Sequence, residues 1–431
     1  MNPKKFVRKV LPDRGIRLAE ETYRKGRIYA LQSRYGFPAR DLRIIAVTGT
    51  NGKTTTCSML NQILKNAGYK TAMITTVEIE IAGKTEPNRT HRTVPLTSDL
   101  LQLFRRAKAK KVDFVVLEVT SQALHQHKIN GFGIEVAVMT NLTQDHLDYH
   151  GTMENYAAAK ARLFSNYTNP QFVVLNRDDE WYQFFEDRSV GQELSFGKDA
   201  DSTLRLLKTK FSTGDTNFEV GYGRTKQLVT IQLPGDFNVA NAMAAMTAAL
   251  AVGVSIKQAA EGVARLKLVS GRMESIKAGQ AFDVIVDFAN TPDALEKVLK
   301  ALRASYKSRV IAVFGATGDR DKNKRSIMGA VAAKNADLIF LTDDETYTED
   351  PDTIRQAVYA GIVANGGKAK AKVVPDRLEA IKSAFKIAKK GDVVLLAGIG
   401  HEDYRNMGGK KIPWDEREIA KKLLKTRQHN H

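Results

Sequence analysis

The chain of 431 residues contains a single cysteine, Cys57. That excludes an internal disulfide and a cysteine-built metal cluster, and it is the usage expected of a reducing, cytoplasmic location. No apolar run approaches the ~20 residues that cross a bilayer, and the opening stretch from Met1 to Lys5 lacks the apolar core of a signal peptide. Low-complexity segments, short internal repeats and basic motifs interleaved with aromatics are missing as well. Lysine and arginine outnumber aspartate and glutamate by 66 to 48, a formal charge of +18. That charge fits nucleic-acid binding, attraction of acidic small molecules or a generally basic proteome, and because the surplus is spread along the chain a nucleic-acid partner is not expected. Hydrophobic residues at 43% and charged residues at 26% are those of a globular enzyme long enough for two or three domains.

The most informative stretch that is present runs Ile44-Ile45-Ala46-Val47-Thr48-Gly49-Thr50-Asn51-Gly52-Lys53-Thr54-Thr55-Thr56. An apolar β-branched run feeds a glycine turn. Lys53 and Thr54 then open a segment with helical spacing (Met59, Leu60, Ile63, Leu64), closed by Gly68. A strand, a phosphate loop and a helix are predicted. The loop N–H groups and the helix dipole would hold phosphate oxygens, Lys53 would neutralise terminal phosphates, and the Thr54 hydroxyl would ligate magnesium. The general phosphate-loop pattern places its first glycine five positions before the second, where this chain has Val47.

Residues 1–40 form a short, basic N-terminal segment. Ile16 to Tyr35 reads as one amphipathic helix, with Ile16, Leu18, Ala19, Tyr23, Ile28, Leu31 and Tyr35 as candidate buried positions. From 41 to 273, apolar strands alternate with helical patterns, as in a doubly wound α/β sheet. The strands are expected at Ile44 to Val47, Phe114 to Leu117, Val136 to Met139 and Phe172 to Leu175. Each runs into polar residues at its carboxyl end, where such sheets collect ligands. Glu118, at the end of one buried strand, is placed to meet a magnesium ion held by Thr54. From 274 to 431 a second α/β unit follows, with strands at Phe282 to Phe288, Val310 to Phe314, Leu338 to Leu341 and Val393 to Leu396.

The motifs then come in a recognisable order: Gly49 to Thr56, Leu117-Glu-Val-Thr-Ser-Gln-Ala-Leu124, Thr140 to Glu154, Tyr156-Ala-Ala-Ala-Lys160, Gly235-Asp-Phe-Asn-Val-Ala-Asn241, Gly271-Arg-Met-Glu274, Val286 to Leu295, Gly318-Asp-Arg-Asp-Lys322 and Ala397-Gly-Ile-Gly-His-Glu402. From about residue 42 to 405 the chain resembles the Mur ligases, and within them the MurE branch, which adds the third residue of the peptidoglycan stem. The resemblance implies a central P-loop ATPase-type domain over 41–273 and a C-terminal Rossmann-like domain over 274–431. It also implies ATP and two magnesium ions as cofactors, and an amide ligase that works through an acyl phosphate. ATP would be held by Gly49, Thr50, Asn51, Gly52, Lys53, Thr54 and Thr55, with Asn238 and Asn241 at adenine, Arg272 at the phosphates and Asp287 at the ribose. Thr54 and Glu118 would hold one magnesium. His146 and Lys160, the latter as its carbamate, would hold the second, since a carbamate is an oxygen donor where an ammonium would repel the metal. Lys53, His146, Lys160 and Arg272 are the implied catalytic set. Thr93, Thr120, Ser121, Lys128, Asp344, Glu345, Gly398 and Glu402 are the implied substrate contacts.

The chain departs from that family at four places. Only about 40 residues precede the phosphate loop, so the family's N-terminal UDP-binding domain is expected to be missing. A partner protein, a non-UDP acceptor or the basic N-terminal helix would have to make up for it. Thr120-Ser121-Gln122 replaces the usual Ser-Ser-His, and Lys128 replaces an acceptor-contacting arginine, keeping the charge but losing the bidentate fork. Asn290 stands for a usual histidine. Where diaminopimelate-adding members carry Asp-Asn-Pro-Arg, this chain reads Asp344-Glu345-Thr346-Tyr347. Without that arginine the acids Asp343, Asp344, Glu345 and Glu402 favour an amino acid with a cationic end, L-lysine or a close diamino acid. The alternatives are a Mur-like ligase for a non-nucleotide acceptor, as in cyanophycin or folylpolyglutamate synthesis, and a weakly catalytic binding subunit.

Overall fold

The computed structural model describes residues 13–90, 92–211 and 215–429. In the first sheet, chain order gives β1 (Arg43–Thr48), β2 (Thr71–Ile74), β3 (Glu78–Ile81), β4 (Lys84–Pro87), β5 (Phe114–Glu118), β6 (Ile134–Met139) and β7 (Phe172–Asn176). They are followed by β8 (Gln192–Gly197), β9 (Leu204–Phe211), β10 (Thr216–Tyr222) and β11 (Thr225–Ile231). Their spatial order is β11-β10-β9-β8-β7-β6-β1-β5-β2-β3-β4. The strands from β9 through β2 run parallel, and β3, β4, β10 and β11 add antiparallel edges. The central strand β1 lies between β5 and β6. Its β-branched run is buried on both faces, which is what a parallel interior strand needs.

Helices cover both faces. Lys53–Asn66, Asp236–Ala251 and Ile256–Ala264 pack on one, with Cys57, Leu60, Ile63, Met243 and Val263 in a shared core. Thr97–Ala109 and Met153–Ala161 pack on the other, with Leu100, Phe104, Tyr156 and Ala157. The second sheet comprises β12 (Glu274–Ser275), β13 (Asp283–Asp287), β14 (Val310–Phe314), β15 (Leu338–Leu341), β16 (Ala371–Val373) and β17 (Val393–Ala397). Its order is β12-β13-β17-β14-β15-β16, parallel except for β12. A hairpin of β18 (Tyr404–Met407) and β19 (Lys410–Pro413) and a final helix, Glu416–His429, complete the described chain.

Strands β8 to β11 are not foreseen from the sequence. Strands β9 to β11 alternate Lys, Arg, Thr and Glu with apolar residues and are half-solvated, so they lack the continuous apolar run that marks β1 or β5. The N-terminal helix spans Asp13–Arg34. Ile28 is buried, whereas the expected core position Tyr23 is 71% exposed. It lies five residues before Ile28, about 140° round the helix, while the inward face carries Gln32, whose Nε2 donates to Asn130 O at 2.6 Å. Residues 1–12, and the side chains of the expected core positions Ile16, Leu18 and Ala19, lie outside those described.

The second unit has a charged keystone. Arg377 and Glu416 are both 0% exposed. The guanidinium donates to Glu416 at 2.6–3.1 Å and to Ala397 O at 2.8 Å, and Trp414 Nε1 donates to Glu416 at 2.6 Å. The pair fastens the last helix to the carboxyl end of β17. Glu416→Ala would strand a buried guanidinium and is expected to lower unfolding free energy by about 3–5 kcal/mol. The double change Arg377→Met/Glu416→Leu should recover most of that loss. Urea denaturation of the three proteins measures both.

Candidate functional site

The loop after β1 is pressed against its neighbours. Gly49 and Gly52 have positive φ, and a Cβ at Gly49 would overlap Thr140 Oγ1 while one at Gly52 would overlap Asn241 Oδ1. Only glycine meets both demands. Gly52 caps the helix Lys53–Asn66, whose first N–H groups face a cavity of about 730 Å³ between the two sheets. At this end Lys53 Nζ folds back onto Gly49 O (3.1 Å) and Thr50 O (2.9 Å), and burial pulls its pKa down.

Thr54 Oγ1 donates to Glu118 Oε2 at 2.9 Å, joining the start of that helix to the end of β5. Thr76 reaches the same carboxylate with its N–H (2.9 Å) and hydroxyl (3.0 Å), and its hydroxyl is also 2.8 Å from Thr93 Oγ1. Two oxygens 2.9 Å apart match adjacent corners of an octahedron with magnesium–oxygen bonds of about 2.1 Å. Thr54 and Glu118 therefore fit Mg²⁺. Among the described residues no three His, Cys, Asp or Glu side chains converge. The pair is a partial ligand set of the kind Mg²⁺ completes with phosphate and water.

His146 lines the cavity in a left-handed conformation, with its Nε2 3.5 Å from Asp145 Oδ2 and its pKa lowered by burial. Lys160 is 1% exposed. Its Nζ donates to Gly49 O at 2.7 Å and sits 4.6 Å from the Tyr156 ring centroid, and burial holds its pKa well below the ordinary lysine range. A neutral amine is the form that combines with carbon dioxide, so the setting of Lys160 suits a carbamate. The unmodified amine is no anionic ligand.

Arg272 enters from the junction between the sheets, with its guanidinium 3.5 Å from Thr54 Oγ1 and 4.6 Å over the Phe288 ring. Asp287, at the end of β13, accepts from Met273 N (2.7 Å) and Ala289 N (2.8 Å), and burial raises its pKa. Asn238 and Asn241 lie one turn apart on the helix Asp236–Ala251. Asn241 Nδ2 donates to Asn238 Oδ1 at 3.2 Å and Asn238 Nδ2 to Pro234 O at 2.8 Å. Across the cleft, Asn51 Nδ2 donates to Asp293 (2.7 Å), and Gln144 Nε2 to Asp321 (3.2 Å).

At the far end the cavity is lined by Arg320, Glu345, Tyr347, Glu402 and Tyr404. Burial, then Glu345 and Asp403, push the Glu402 carboxyl up to about 7. Burial, with Asp344 next, also raises Glu345. Arg320 lies 4.9 Å over the Tyr347 ring.

One cavity thus gathers Thr50, Asn51, Gly52, Lys53, Thr54, Thr55, Thr93, Glu118, Thr120, His146, Asn238, Asn241, Arg272, Asp287, Glu345 and Glu402. Other expected contacts stand apart from its lining. Gly49 and Lys160 lie behind the loop. Ser121 Oγ is 2.9 Å from His150 Nε2 beneath the helix that Thr120 caps. Lys128, half-buried in the following turn, has its pKa lowered by burial and by Arg92. Asp344 is corrected most: it is 2% exposed and tucked under Gly398, where a Cβ would overlap its Oδ2. Asp343 pairs with Arg355. Of the four acids expected near the substrate, only Glu345 and Glu402 face the cavity.

Thr76, Asn141, Asp145, Arg320, Lys324, Tyr347 and Tyr404 also line it and are missed as candidates. Asn141, Asp145 and Arg320 lie inside recognised motifs, which is a usable signal. Thr76 follows a four-residue strand with no motif around it.

A model of the Mur ligase middle domain matches residues 47–249, and one described as Mur ligase, glutamate ligase domain matches 271–400. The UDP-N-acetylmuramoyl-L-alanyl-D-glutamate--2,6-diaminopimelate ligase of Geobacillus kaustophilus is 41% identical over 399 residues, covering 91% of this chain and 81% of that protein. An enzyme of that name from Clostridium acetobutylicum is 39% identical, covering 91% and 80%. A solved structure of a ligase of the same name is 34% identical with a TM-score of 0.62, covering 90% of this chain and 79% of that one. Folylpolyglutamate synthase from Mycobacterium tuberculosis, solved with ADP, shares the fold at a TM-score of 0.70 and 19% identity, covering 87% and 91%.

Gly52→Ala is expected to weaken ADP binding by about 30-fold, equivalent to about 2 kcal/mol, by displacing Asn241 and straining the cap. Gly253→Ala, with a similar φ of +88 and nothing within 4 Å, should leave the affinity within about twofold. Isothermal titration of both variants separates steric overlap from backbone strain.

Proposed function

The chain belongs to the Mur ligase family, and from that premise we infer that it is an ATP-dependent ligase joining an amino acid to the carboxylate of a UDP-N-acetylmuramoyl-dipeptide, in peptidoglycan precursor synthesis. We further infer that the added residue ends in an ammonium group, as L-lysine or a close diamino acid does. One observation carries the reading. A single cavity runs from a helix N-terminus suited to phosphates, past Arg272, to a pair of carboxyl groups, Glu345 and Glu402.

In the reaction the acceptor carboxylate takes the γ-phosphoryl group as its bond to ADP breaks. The incoming amine then attacks the acyl carbon, forming the C–N bond as phosphate leaves. Little covalent chemistry is asked of the protein, and positioning and charge cancellation dominate. The helix N-terminus and Lys53 would hold the phosphates, with Lys53 exchanging the carbonyls of Gly49 and Thr50 for phosphate oxygens. Arg272 would meet the charge that develops between donor and acceptor. Mg²⁺ held by Thr54 and Glu118 would screen the phosphate oxygens, and the proposed second ion would draw on His146 and carbamylated Lys160. Asn238 and Asn241 would face adenine and Asp287 the ribose. Thr93 and Thr120, on the β5 side, would line the acceptor path, with Ser121 and Lys128 supporting it from behind. Residues 41–273 would form the nucleotide domain and 274–431 the domain that delivers the amino acid.

The related proteins are named for 2,6-diaminopimelate, whose distal centre carries both an ammonium and a carboxylate. The acid pair here suits the ammonium. Tyr347 leaves the 344–347 segment without a guanidinium for that carboxylate, although Arg320 lies beside it. The test is a purified-protein assay with ATP, UDP-N-acetylmuramoyl-dipeptide or nucleotide-free acceptors, and a panel of amino acids, read by phosphate release and product mass. L-lysine is expected to outpace meso-diaminopimelate. Equal or faster turnover with diaminopimelate would overturn the lysine assignment, and absence of product with every pair would overturn the ligase reading. A pH dependence follows from Glu402. Its carboxyl, raised to about 7, is neutral below that pH and pairs poorly with an ammonium. KM for lysine should therefore fall as pH rises through 7, by up to about tenfold per unit on the acid side, and Glu402→Gln should flatten the profile.

A further inference from the structure

The segment Asp343–Tyr347 that carries Glu345 is held by a second piece of chain, the hairpin of β18 and β19. Arg405, on β18, is nearly buried and directs its guanidinium at peptide carbonyls. Nη2 donates to Asp343 O at 2.7 Å and to Asp344 O at 2.8 Å, and Nε donates to Asp344 O at 3.2 Å. Its Cζ stacks 4.8 Å over Trp414. The hairpin backbone continues the grip. Asn406 N donates to Glu345 Oε1 (3.0 Å), Tyr347 N to Asn406 O (3.0 Å), Gly408 N to Thr346 Oγ1 (3.2 Å) and Gly409 N to Tyr347 O (2.6 Å).

The two carbonyls gripped by Arg405 come just before Glu345, so their orientation sets where that carboxylate points. Asp344 in turn is buried under Gly398, with Oδ2 lacking a hydrogen-bond partner. The buried Asp344 carboxyl, its Oδ2 unbonded, does not anchor the backbone between Asp343 and Glu345. The guanidinium does so with three bonds from two nitrogens, Nη2 reaching both carbonyls and Nε adding a second bond to Asp344 O, and a lysine ammonium lacks that fixed planar arrangement of donors.

We propose that Arg405 is a positioning residue for amino-acid selection: by clamping the carbonyls of Asp343 and Asp344 it fixes Glu345 toward the cavity, opposite Glu402, and so sets the affinity for a side chain ending in an ammonium group. This rests on the functional reading above, but the clamp itself can be tested without turnover. A preset carboxylate lowers the ordering cost of binding, so its loss falls on the amino acid and not on the nucleotide at the other end of the cavity.

The experiment compares wild type, Arg405→Gln and Arg405→Lys. Hydrogen exchange is read at the amides of Tyr347, Asn406, Gly408 and Gly409, and steady-state kinetics are measured for ATP and for L-lysine. Arg405→Gln is expected to speed exchange in these amides at least tenfold and to raise KM for lysine about tenfold. KM for ATP and kcat should stay within about twofold. Arg405→Lys, which keeps the charge and the stack on Trp414, should restore less than half of the lost affinity; it also serves as the test protein if the glutamine variant does not fold, with KM for lysine then raised at least threefold. Unchanged exchange overturns the clamp. Faster exchange with unchanged lysine KM, a parallel rise in both KM values, or full rescue by lysine overturns the role in selection. If wild type turns over no amino acid, the ligase reading and the selection role fail together, while the exchange data still decide whether Arg405 holds the segment.

Discussion

The close approach of the loop after β1 to its neighbours is the constraint on which the rest of the cleft depends. Gly49 touches Thr140 at the end of β6, and Gly52 touches Asn241 on the helix Asp236–Ala251. These contacts bring three separate chain segments to one helix N-terminus. Because β1 sits between β5 and β6, the polar residues that follow all three strands arrive at the same edge. Thr54 then joins the end of β5 through its 2.9 Å hydrogen bond to Glu118. A side chain at either glycine would push apart groups whose value lies in their spacing.

Much of this is legible in the sequence for a physical reason. Parallel strands covered on both faces must be continuous apolar runs, and the residues that end them must be polar because they meet solvent or ligand. Ile44 to Val47, Phe114 to Leu117 and Val310 to Phe314 are found where expected, and the residues after them line the cavity. The solvated strands β9 to β11 lack that signal. So does Thr76, whose contact with Glu118 arises from tertiary packing of a short strand. The acids at 343–345 show a different limit. Sequence spacing places Asp343, Asp344 and Glu345 together, but they lie in the loop after β15, whose irregular backbone turns the three side chains to different sides. Asp344 is directed under Gly398, Asp343 toward Arg355 and Glu345 toward the cavity.

The two units divide the labour of charge differently. The first handles it with backbone dipoles and buried lysines, since Lys53 and Lys160 lean on carbonyl oxygens. The second uses guanidinium groups as structural fasteners: Arg377 on Glu416, Arg325 on Glu349, and Arg405 on the carbonyls of Asp343 and Asp344. A carbonyl can be traded for a phosphate at little cost, whereas a buried arginine–carboxylate fork is costly to open. The phosphate-loop side is thus built for exchange of partners and the Glu345 side for a fixed shape.

Cys57 lies in the second turn of the helix behind the phosphate loop, fully buried, with its thiol pKa raised well above the ordinary value by that burial. With no other cysteine in the chain, the folded protein presents no thiolate to electrophiles or peroxides. Among the described residues the side chains open to oxidation are instead tyrosines such as Tyr23, Tyr29 and Tyr149, all exposed, and the helix that carries Cys57 is insulated from the redox state of its surroundings.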